Sequence, residues 1–219
     1  MKSAEYWNTA GSNREFNTPL PPVFFDLVSW ETLILDLGCG YGRTLAELRR
    51  AGYENLRGVD SSEKMIERGR ARYPDLDLRV NDGRFLDFPD QTFGAVLLTA
   101  VLTCVIRDQD QEDLLAEVER VLKPGGLICV NDFLLNQDRR NLERYQKYQS
   151  KYGTYGVFEL PDGAVLRHHD PARVISSLAH FSTIHFDSVT LTTMNGNQSQ
   201  GYHFIGSKTI FSESQTKTD

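Results

Sequence analysis

The chain has 219 residues, of which 40% are hydrophobic and 25% charged, which is enough for one globular domain with a full core. Its formal net charge is -6, whereas nucleic-acid-binding proteins usually carry a basic surface. The longest apolar run, residues 95–106, is too short for a membrane span, which needs about 20 apolar residues. Because the N-terminus also lacks a signal-peptide pattern, we expect a cytoplasmic protein with neither nucleic-acid nor membrane partners.

Short apolar segments alternate with amphipathic ones through the middle of the chain. Strands are predicted at residues 32–37, 55–60, 76–80, 94–99 and 127–132, and helices at residues 43–51, 62–73 and 109–122. This alternation predicts an α/β fold with a doubly wound, Rossmann-like sheet. The last two predicted strands, residues 183–193 and 202–210, are separated by the turn-forming run Asn195, Gly196 and Asn197. They predict a C-terminal antiparallel hairpin that brings the sheet to seven strands.

A glycine-rich loop, D-L-G-C-G-Y-G at residues 36–42, follows the first predicted strand and begins the first helix of the alternating region. Glycine lets the backbone turn sharply and approach a ligand closely. Gly38, Gly40 and Gly42 form the pattern G-x-G-x-G, whereas the dinucleotide fingerprint G-x-G-x-x-G needs a glycine at position 43, which is Arg43. A nicotinamide-dependent oxidoreductase is therefore a weaker alternative.

Three acidic residues stand at the ends of three successive predicted strands. Asp60 can accept hydrogen bonds from ribose hydroxyls, and Asp82 can accept one from an adenine amine. Asp36 can face an ammonium group. A dinucleotide pyrophosphate would favour helix N-terminal amides and positive charge instead. Taken together, the three acids favour a cationic nucleoside with an amino-acid tail, although each acid alone is equally typical of a turn or a helix cap.

Four motifs in this order resemble those of class I S-adenosylmethionine-dependent methyltransferases. Residues 35–42 resemble motif I, and residues 58–62 (G-V-D-S-S) resemble the next motif. Residues 87–93 resemble the segment that leads into strand four, and residues 122–126 (L-K-P-G-G) the signature before strand five. The resemblance covers about residues 31–134 and, more weakly, the final hairpin. One departure is Gly94, where the family usually has an acid after Phe93.

The resemblance implies S-adenosylmethionine as cofactor and S-adenosylhomocysteine as product. It also implies that the loop and strand ends of the core supply the cofactor contacts. The implied cofactor-binding residues are Asp36, Gly38 and Gly40 for the methionine portion, with Cys39 and Gly42 in the same loop, Asp60 for the ribose, Ser61 and Met65 beside the adenosine, Asp82 and Gly83 about the adenine, and Thr99 and Ala100 facing the sulfonium.

Two pairs of residues are candidates for the acceptor side. His168 or His169 can act as a general base or orient an acceptor, and an ordinary loop histidine is the alternative explanation. Tyr6 and Trp7 can fold over the cofactor or flank the acceptor, and packing alone is the alternative. Adjacent histidines without a third ligand at useful spacing predict no metal site.

The chain is predicted to form a single methyltransferase domain over residues 1–210. It comprises an N-terminal lid (1–30), a cofactor-binding core (31–134), an inserted helical cap (135–180) and the C-terminal hairpin (181–210), followed by a disordered tail (211–219). The cap is far longer than the usual connection of about 2–6 residues, which favours an enclosed small-molecule acceptor. A non-catalytic S-adenosylmethionine sensor or scaffold protein is the alternative, and the oligomeric state is not predicted.

Overall fold

A computed structural model describes residues 2–210, with side chains from Glu5 onward, so the tail predicted to be disordered lies outside the described residues. The helices are α1 (Lys2–Trp7), α2 (Pro22–Leu27), α3 (Arg43–Arg50), α4 (Glu63–Arg72), α5 (Asp108–Val121), α6 (Arg139–Tyr152) and α7 (Pro171–Ser177). The strands are β1 (Ile34–Leu37), β2 (Leu56–Asp60), β3 (Asp77–Val80), β4 (Phe93–Thr99), β5 (Leu122–Phe133), β6 (Val157–Glu159), β7 (Val165–Arg167), β8 (Phe181–Thr192) and β9 (Gln198–Lys208).

The main sheet has seven strands in the order β3-β2-β1-β4-β5-β9-β8. Strands β1 to β5 pair in parallel, and β9 runs antiparallel between β5 and β8. The predicted α/β fold with a C-terminal hairpin is therefore confirmed. The direction of winding reverses between β1 and β4, and sheets of this kind bind ligands beyond the strand ends at such a switch point.

Both faces of the central strands β1 and β4 are buried, which explains why these strands are largely apolar. Side chains alternate between the two faces along each strand. Leu35 of β1 packs in a cluster that includes Leu114 and Val118 of α5. Ile34, its neighbour in sequence, packs in the opposite cluster with Leu45 of α3. The core therefore consists of two helical layers around one sheet.

Helices α2 and α7 lie within the predicted lid and cap, but both pack in the core layers beside the sheet. Phe24 of α2 is fully buried in the cluster beside α3, so only the part of the chain before α2 extends over the strand ends. Val174 and Leu178, in and after α7, pack in the α5 cluster. What remains of the cap is α6 with a separate two-stranded sheet, β6 and β7.

The helices of the described chain are short. The longest, α5 and α6, have 14 residues each. Within residues 2–210, no helix combines the length and the apolar character needed to cross a membrane.

Candidate active site

A cavity of about 1440 Å³ opens at the carboxyl ends of β1 to β4 and continues beneath the cap. We call its first part the strand-end half. Among its lining residues are Asp36, Gly38, Cys39, Gly40, Asp60, Ser61, Met65, Asn81, Asp82, Gly83, Thr99 and Ala100. We call the second part the cap half. Among its lining residues are Phe133, Arg140, Arg144, Tyr152, Phe158, Leu160, Val165, Leu166, His168 and the β8–β9 turn residues Thr193 and Asn195.

The glycine loop makes its sharp turn through left-handed backbone angles. Gly38, Gly40 and Gly42 have φ angles of 76°, 55° and 82°, a region that residues with a side chain rarely adopt. A Cβ atom on Gly38 would also lie 2.6 Å from Cγ2 of Val101. Gly42 lies away from the cavity: it precedes α3, and a Cβ there would face Leu78. Of the twelve predicted cofactor residues, the other eleven line the cavity.

Asp60 connects the end of β2 to the glycine loop. Its Oδ2 accepts a hydrogen bond from the backbone N–H of Gly40 and its Oδ1 one from that of Ser62, both at 2.8 Å. Each carboxylate oxygen has a second acceptor position, so the oriented carboxylate can still accept two ribose hydroxyls. Burial raises the pKa of Asp60, and the hydrogen bonds from the two N–H groups offset part of that rise.

Asp36 is a buried carboxylate that faces the cavity, with 2% of its surface exposed. It accepts no hydrogen bond from the part of the chain that the structure describes. Burial raises its pKa to about 7, Arg43 opposes the rise, and Asp60 adds to it. An ionised carboxylate in such a place is costly unless a cation accompanies it. The ammonium group of a methionine moiety meets that requirement.

The remaining predicted contacts lie around these two acids. Asn81 holds the turn after β3 by accepting the N–H of Gly83 on its Oδ1 at 2.8 Å. Asp82 is at the rim of the cavity, where it can meet the edge of a base. Met65 is almost fully buried in the wall. Thr99 has a buried hydroxyl oxygen with no partner among the described residues, at the cavity end of β4. These features fit the nucleoside portion of S-adenosylmethionine.

Ala100 carries local backbone strain at the end of β4. Its φ is 56°, and the left-handed region costs a residue with a Cβ about 1–2 kcal/mol. We expect Ala100→Gly to raise the free energy of unfolding by about 0.5–1 kcal/mol, since glycine removes the strain but makes the unfolded chain more flexible. Urea denaturation measures the change. Ala95→Gly, in the buried part of β4, is the control and should lower stability; equal losses in both variants would contradict this explanation.

The N-terminal segment closes over the cavity. The hydroxyl of Tyr6 donates to Oδ2 of Asp162 in the cap at 3.0 Å, and Arg14 forms an ion pair with the same carboxylate. The hydroxyl of Ser62 donates to the carbonyl oxygen of Trp7 at 2.9 Å. Trp7 lines the cavity, whereas Tyr6 does not. The segment therefore connects the cap to the start of α4, and Tyr6 serves that connection.

The two adjacent histidines have different environments. His168 lines the cap half, its Nδ1 lies 2.7 Å from the hydroxyl oxygen of Tyr145, and its ring stacks on Phe133. Burial, assisted by Arg144, lowers the pKa of His168 well below its usual value, so the ring is neutral near pH 7. His169 lies away from the cavity, with its Nε2 2.9 Å from Nε2 of Gln111. Of the two, His168 alone can reach a bound acceptor.

Several residues of the cap half had not been predicted as site residues. Phe133 lies at the end of β5, and Arg140, Arg144 and Phe158 come from the cap. The sequence feature that pointed to them is the four-residue spacing of the two arginines, which places both on the same helix face, one turn apart. That spacing alone is also typical of a solvated face.

The fold and the strand-end half have the arrangement typical of class I S-adenosylmethionine-dependent methyltransferases. Residues 35–130 match the family model described as "Methyltransferase domain". The match extends from β1 into β5 and includes the glycine loop, Asp60 and Asp82. Residues 35–130 are therefore similar to a methyltransferase domain, and S-adenosylmethionine is the cofactor that the glycine loop and the strand-end acids fit.

The names of similar proteins indicate different reactions. The chain is 34% identical over 129 residues to a carboxy-S-adenosyl-L-methionine synthase of Wolinella succinogenes, covering 55% of this chain and 53% of that protein. It is 34% identical over 148 residues to a mouse eEF1A lysine and N-terminal methyltransferase, covering 59% of this chain and 21% of that protein. The chain thus spans about half or less of these two relatives.

Among solved structures, an S-adenosylmethionine-dependent methyltransferase of Methanosarcina mazei has a similar fold over its full length. The TM-score is 0.84 at 24% sequence identity, covering 89% of this chain and 100% of the other. At this identity the likeness supports the fold alone.

Proposed function

We propose that this protein transfers a methyl group from S-adenosylmethionine to a small-molecule acceptor held in the cap half. The observation that carries the proposal is the continuity of the cavity. One space joins the glycine loop and the three strand-end acids to a chamber walled by the cap. The N-terminal segment is fastened across this space at Asp162 and Ser62. A pocket enclosed in this way suits a small acceptor better than the surface of a macromolecule.

The cofactor, when bound, would supply a methyl group on a sulfonium that is already activated for in-line displacement. The work of the chain is therefore mainly positioning. Asp36 would pair with the ammonium group, and Asp60 would hold both ribose hydroxyls. Thr99 and Ala100, at the end of β4, would lie where the strand-end half meets the cap half. The lid and cap would exclude water from the transfer.

His168 would either form a hydrogen bond with the acceptor or take a proton from it as a general base. Its ring lines the cap half, and the Tyr145 hydroxyl fixes its orientation through Nδ1. Since burial keeps the imidazole neutral near pH 7, the ring is available as a hydrogen-bond partner or a base without first losing a proton. His169 would instead support the packing around Gln111.

The proposed activity is tested with methyl-labelled S-adenosylmethionine and a desalted cell extract supplemented with a small-molecule metabolite extract, separated after reaction into small-molecule and macromolecular fractions. We expect the label in the small-molecule fraction. Label confined to protein would contradict the proposal and favour an acceptor like that named for the mouse relative. Cofactor binding without transfer to either fraction would also contradict it and favour the sensor or scaffold alternative.

Replacing His168 by glutamine is expected to lower kcat about 100-fold, because general-base catalysis typically contributes about 10²–10⁴-fold. The affinity for S-adenosylhomocysteine should change less than threefold, since His168 lies in the cap half. Rates are measured on the labelled small-molecule product and normalised to the number of sites that bind S-adenosylhomocysteine. The control is His169→Gln, which should lower stability while kcat per site stays within threefold of wild type. Equal kcat losses in both variants would contradict a direct role of His168.

A further inference from the structure

Two arginines of α6 face the cap half of the cavity. Arg140 and Arg144 are four residues apart and so lie one above the other on the same helix face. The guanidinium carbon of Arg144 lies 3.4 Å from the centroid of the Phe158 ring. This stacking fixes the plane of the guanidinium and leaves the N–H groups along its edge able to donate.

Arg144 forms no ion pair within residues 2–210, and Asp138 is the nearby acid whose charge acts on it. Its Nε is buried and has no hydrogen-bond acceptor there. Its close polar neighbour is the hydroxyl of Tyr145, and burial lowers the pKa of the guanidinium. A buried donor without an acceptor destabilises the protein, and more so when it is charged. The binding of an anion beside Arg144 would therefore be favourable.

The nearby acids compensate the charge of Arg144 only in part. Arg140 is 3.9 Å from Asp138, with both side chains more than 40% exposed, so this pair is weak. Glu159 also lines the cap half, but Lys151 forms an ion pair with it and the Tyr152 hydroxyl donates to it at 2.6 Å. The local balance beside Arg144 remains positive, although the whole chain is acidic.

We infer that the acceptor is a small organic acid, whose anionic group binds Arg144 and Arg140 while its apolar body packs on the rings of Phe133 and Phe158. A guanidinium holds a carboxylate or a phosphate monoester through paired N–H···O bonds. The other walls of the cap half include Leu160, Val165 and Leu166, which suit an aromatic or alkyl body. This inference rests on the proposed methyl transfer, because it describes the acceptor of the same cavity.

The test measures the binding of three probes of similar size to protein saturated with S-adenosylhomocysteine. Benzoate and phenyl phosphate are the anionic probes, and benzamide is the neutral one. Titration calorimetry gives each dissociation constant, and the tryptophan fluorescence, to which Trp7 in the cavity lining contributes, gives a second readout. We expect at least one anion to bind tenfold more tightly than benzamide. Tighter binding of benzoate would indicate a carboxylate acceptor, and tighter binding of phenyl phosphate would indicate a phosphorylated one.

The substitution Arg144→Met keeps an unbranched apolar stem against Phe158 and removes the charge. It should abolish the preference for the anion, and Arg140→Gln should reduce that preference about threefold. The matched control is Arg139→Gln on the same helix, whose side chain is 91% exposed and pairs with Glu143; it should bind like wild type. Arg144→Lys should restore part of the preference.

Equal binding of benzamide and both anions, or an anion preference that survives Arg144→Met, would overturn the inference. A protein that binds S-adenosylhomocysteine but shows no anion preference would overturn this inference alone. Failure to bind S-adenosylhomocysteine would overturn the proposed function, and the acceptor assignment with it. The affinity of each variant for S-adenosylhomocysteine shows whether its strand-end half is intact.

Discussion

Replacing Asp60 by alanine is expected to weaken the binding of S-adenosylhomocysteine at least 100-fold. The carboxylate organises the glycine loop through Gly40 and the start of α4 through Ser62, and it would also accept two ribose hydroxyls. A hydrogen bond to a charged group contributes about 1.5–3 kcal/mol, and tenfold in affinity corresponds to about 1.4 kcal/mol. Two lost ribose contacts therefore account for a factor of about 100 even before the loop loosens.

Titration calorimetry measures this change, with circular dichroism to check that the variant is folded. The matched control is Asp75→Ala, an aspartate of the same region that is exposed and lies outside the cavity lining. The control should bind S-adenosylhomocysteine like wild type. A dissociation constant of Asp60→Ala within threefold of wild type would refute the assignment of Asp60 to the ribose.

The affinity for S-adenosylhomocysteine is expected to fall as the pH drops below about 7. Burial raises the pKa of Asp36 to about 7 in the free protein, whereas the ligand's ammonium would stabilise the carboxylate form and lower that pKa in the complex. Binding then requires loss of the Asp36 proton below pH 7. The affinity is complete above that pH and declines about tenfold per pH unit below it, approaching 100-fold near pH 5.

The control for this titration is Asp36→Asn, which cannot ionise at position 36. We expect it to bind at least tenfold more weakly at pH 8 and to show a nearly flat profile from pH 5.5 to 8. Asp132 is another fully buried acid whose pKa burial raises to about 7, but it is present in both proteins and so its effect cancels in the comparison. A wild-type profile that is flat, or one with the same slope as that of Asp36→Asn, would contradict the pairing of Asp36 with the ammonium.

The parallel core could be predicted because its signals are local. Buried strands such as β4 are continuously apolar, and glycines between a strand and a helix mark the loop that joins them. The placement of Asp36, Asp60 and Asp82 follows from topology, since the carboxyl ends of parallel strands meet at one edge. That is why these residues, distant from one another in sequence, can be expected around one ligand from the sequence alone.

The cap was harder to predict because its signals are short or depend on distant parts of the chain. Strands β6 and β7 have three residues each, which is too few to show a period-2 pattern. The helices α2 and α7 are short, and nothing local indicates that they pack on the sheet. Arg144 likewise looks like part of a solvated helix until α6 folds over the strand ends and Phe158 meets it.

The most direct test of the cavity assignment is a calorimetric titration of the wild-type protein with S-adenosylhomocysteine at pH 8, beside one with reduced nicotinamide adenine dinucleotide. We expect one molecule of S-adenosylhomocysteine to bind per chain and S-adenosylmethionine to displace it. The Asp60→Ala variant should bind S-adenosylhomocysteine at least 100-fold more weakly. No binding is expected for the nicotinamide nucleotide. The absence of S-adenosylhomocysteine binding, or equal binding by Asp60→Ala, would contradict the assignment of the strand-end half to the cofactor.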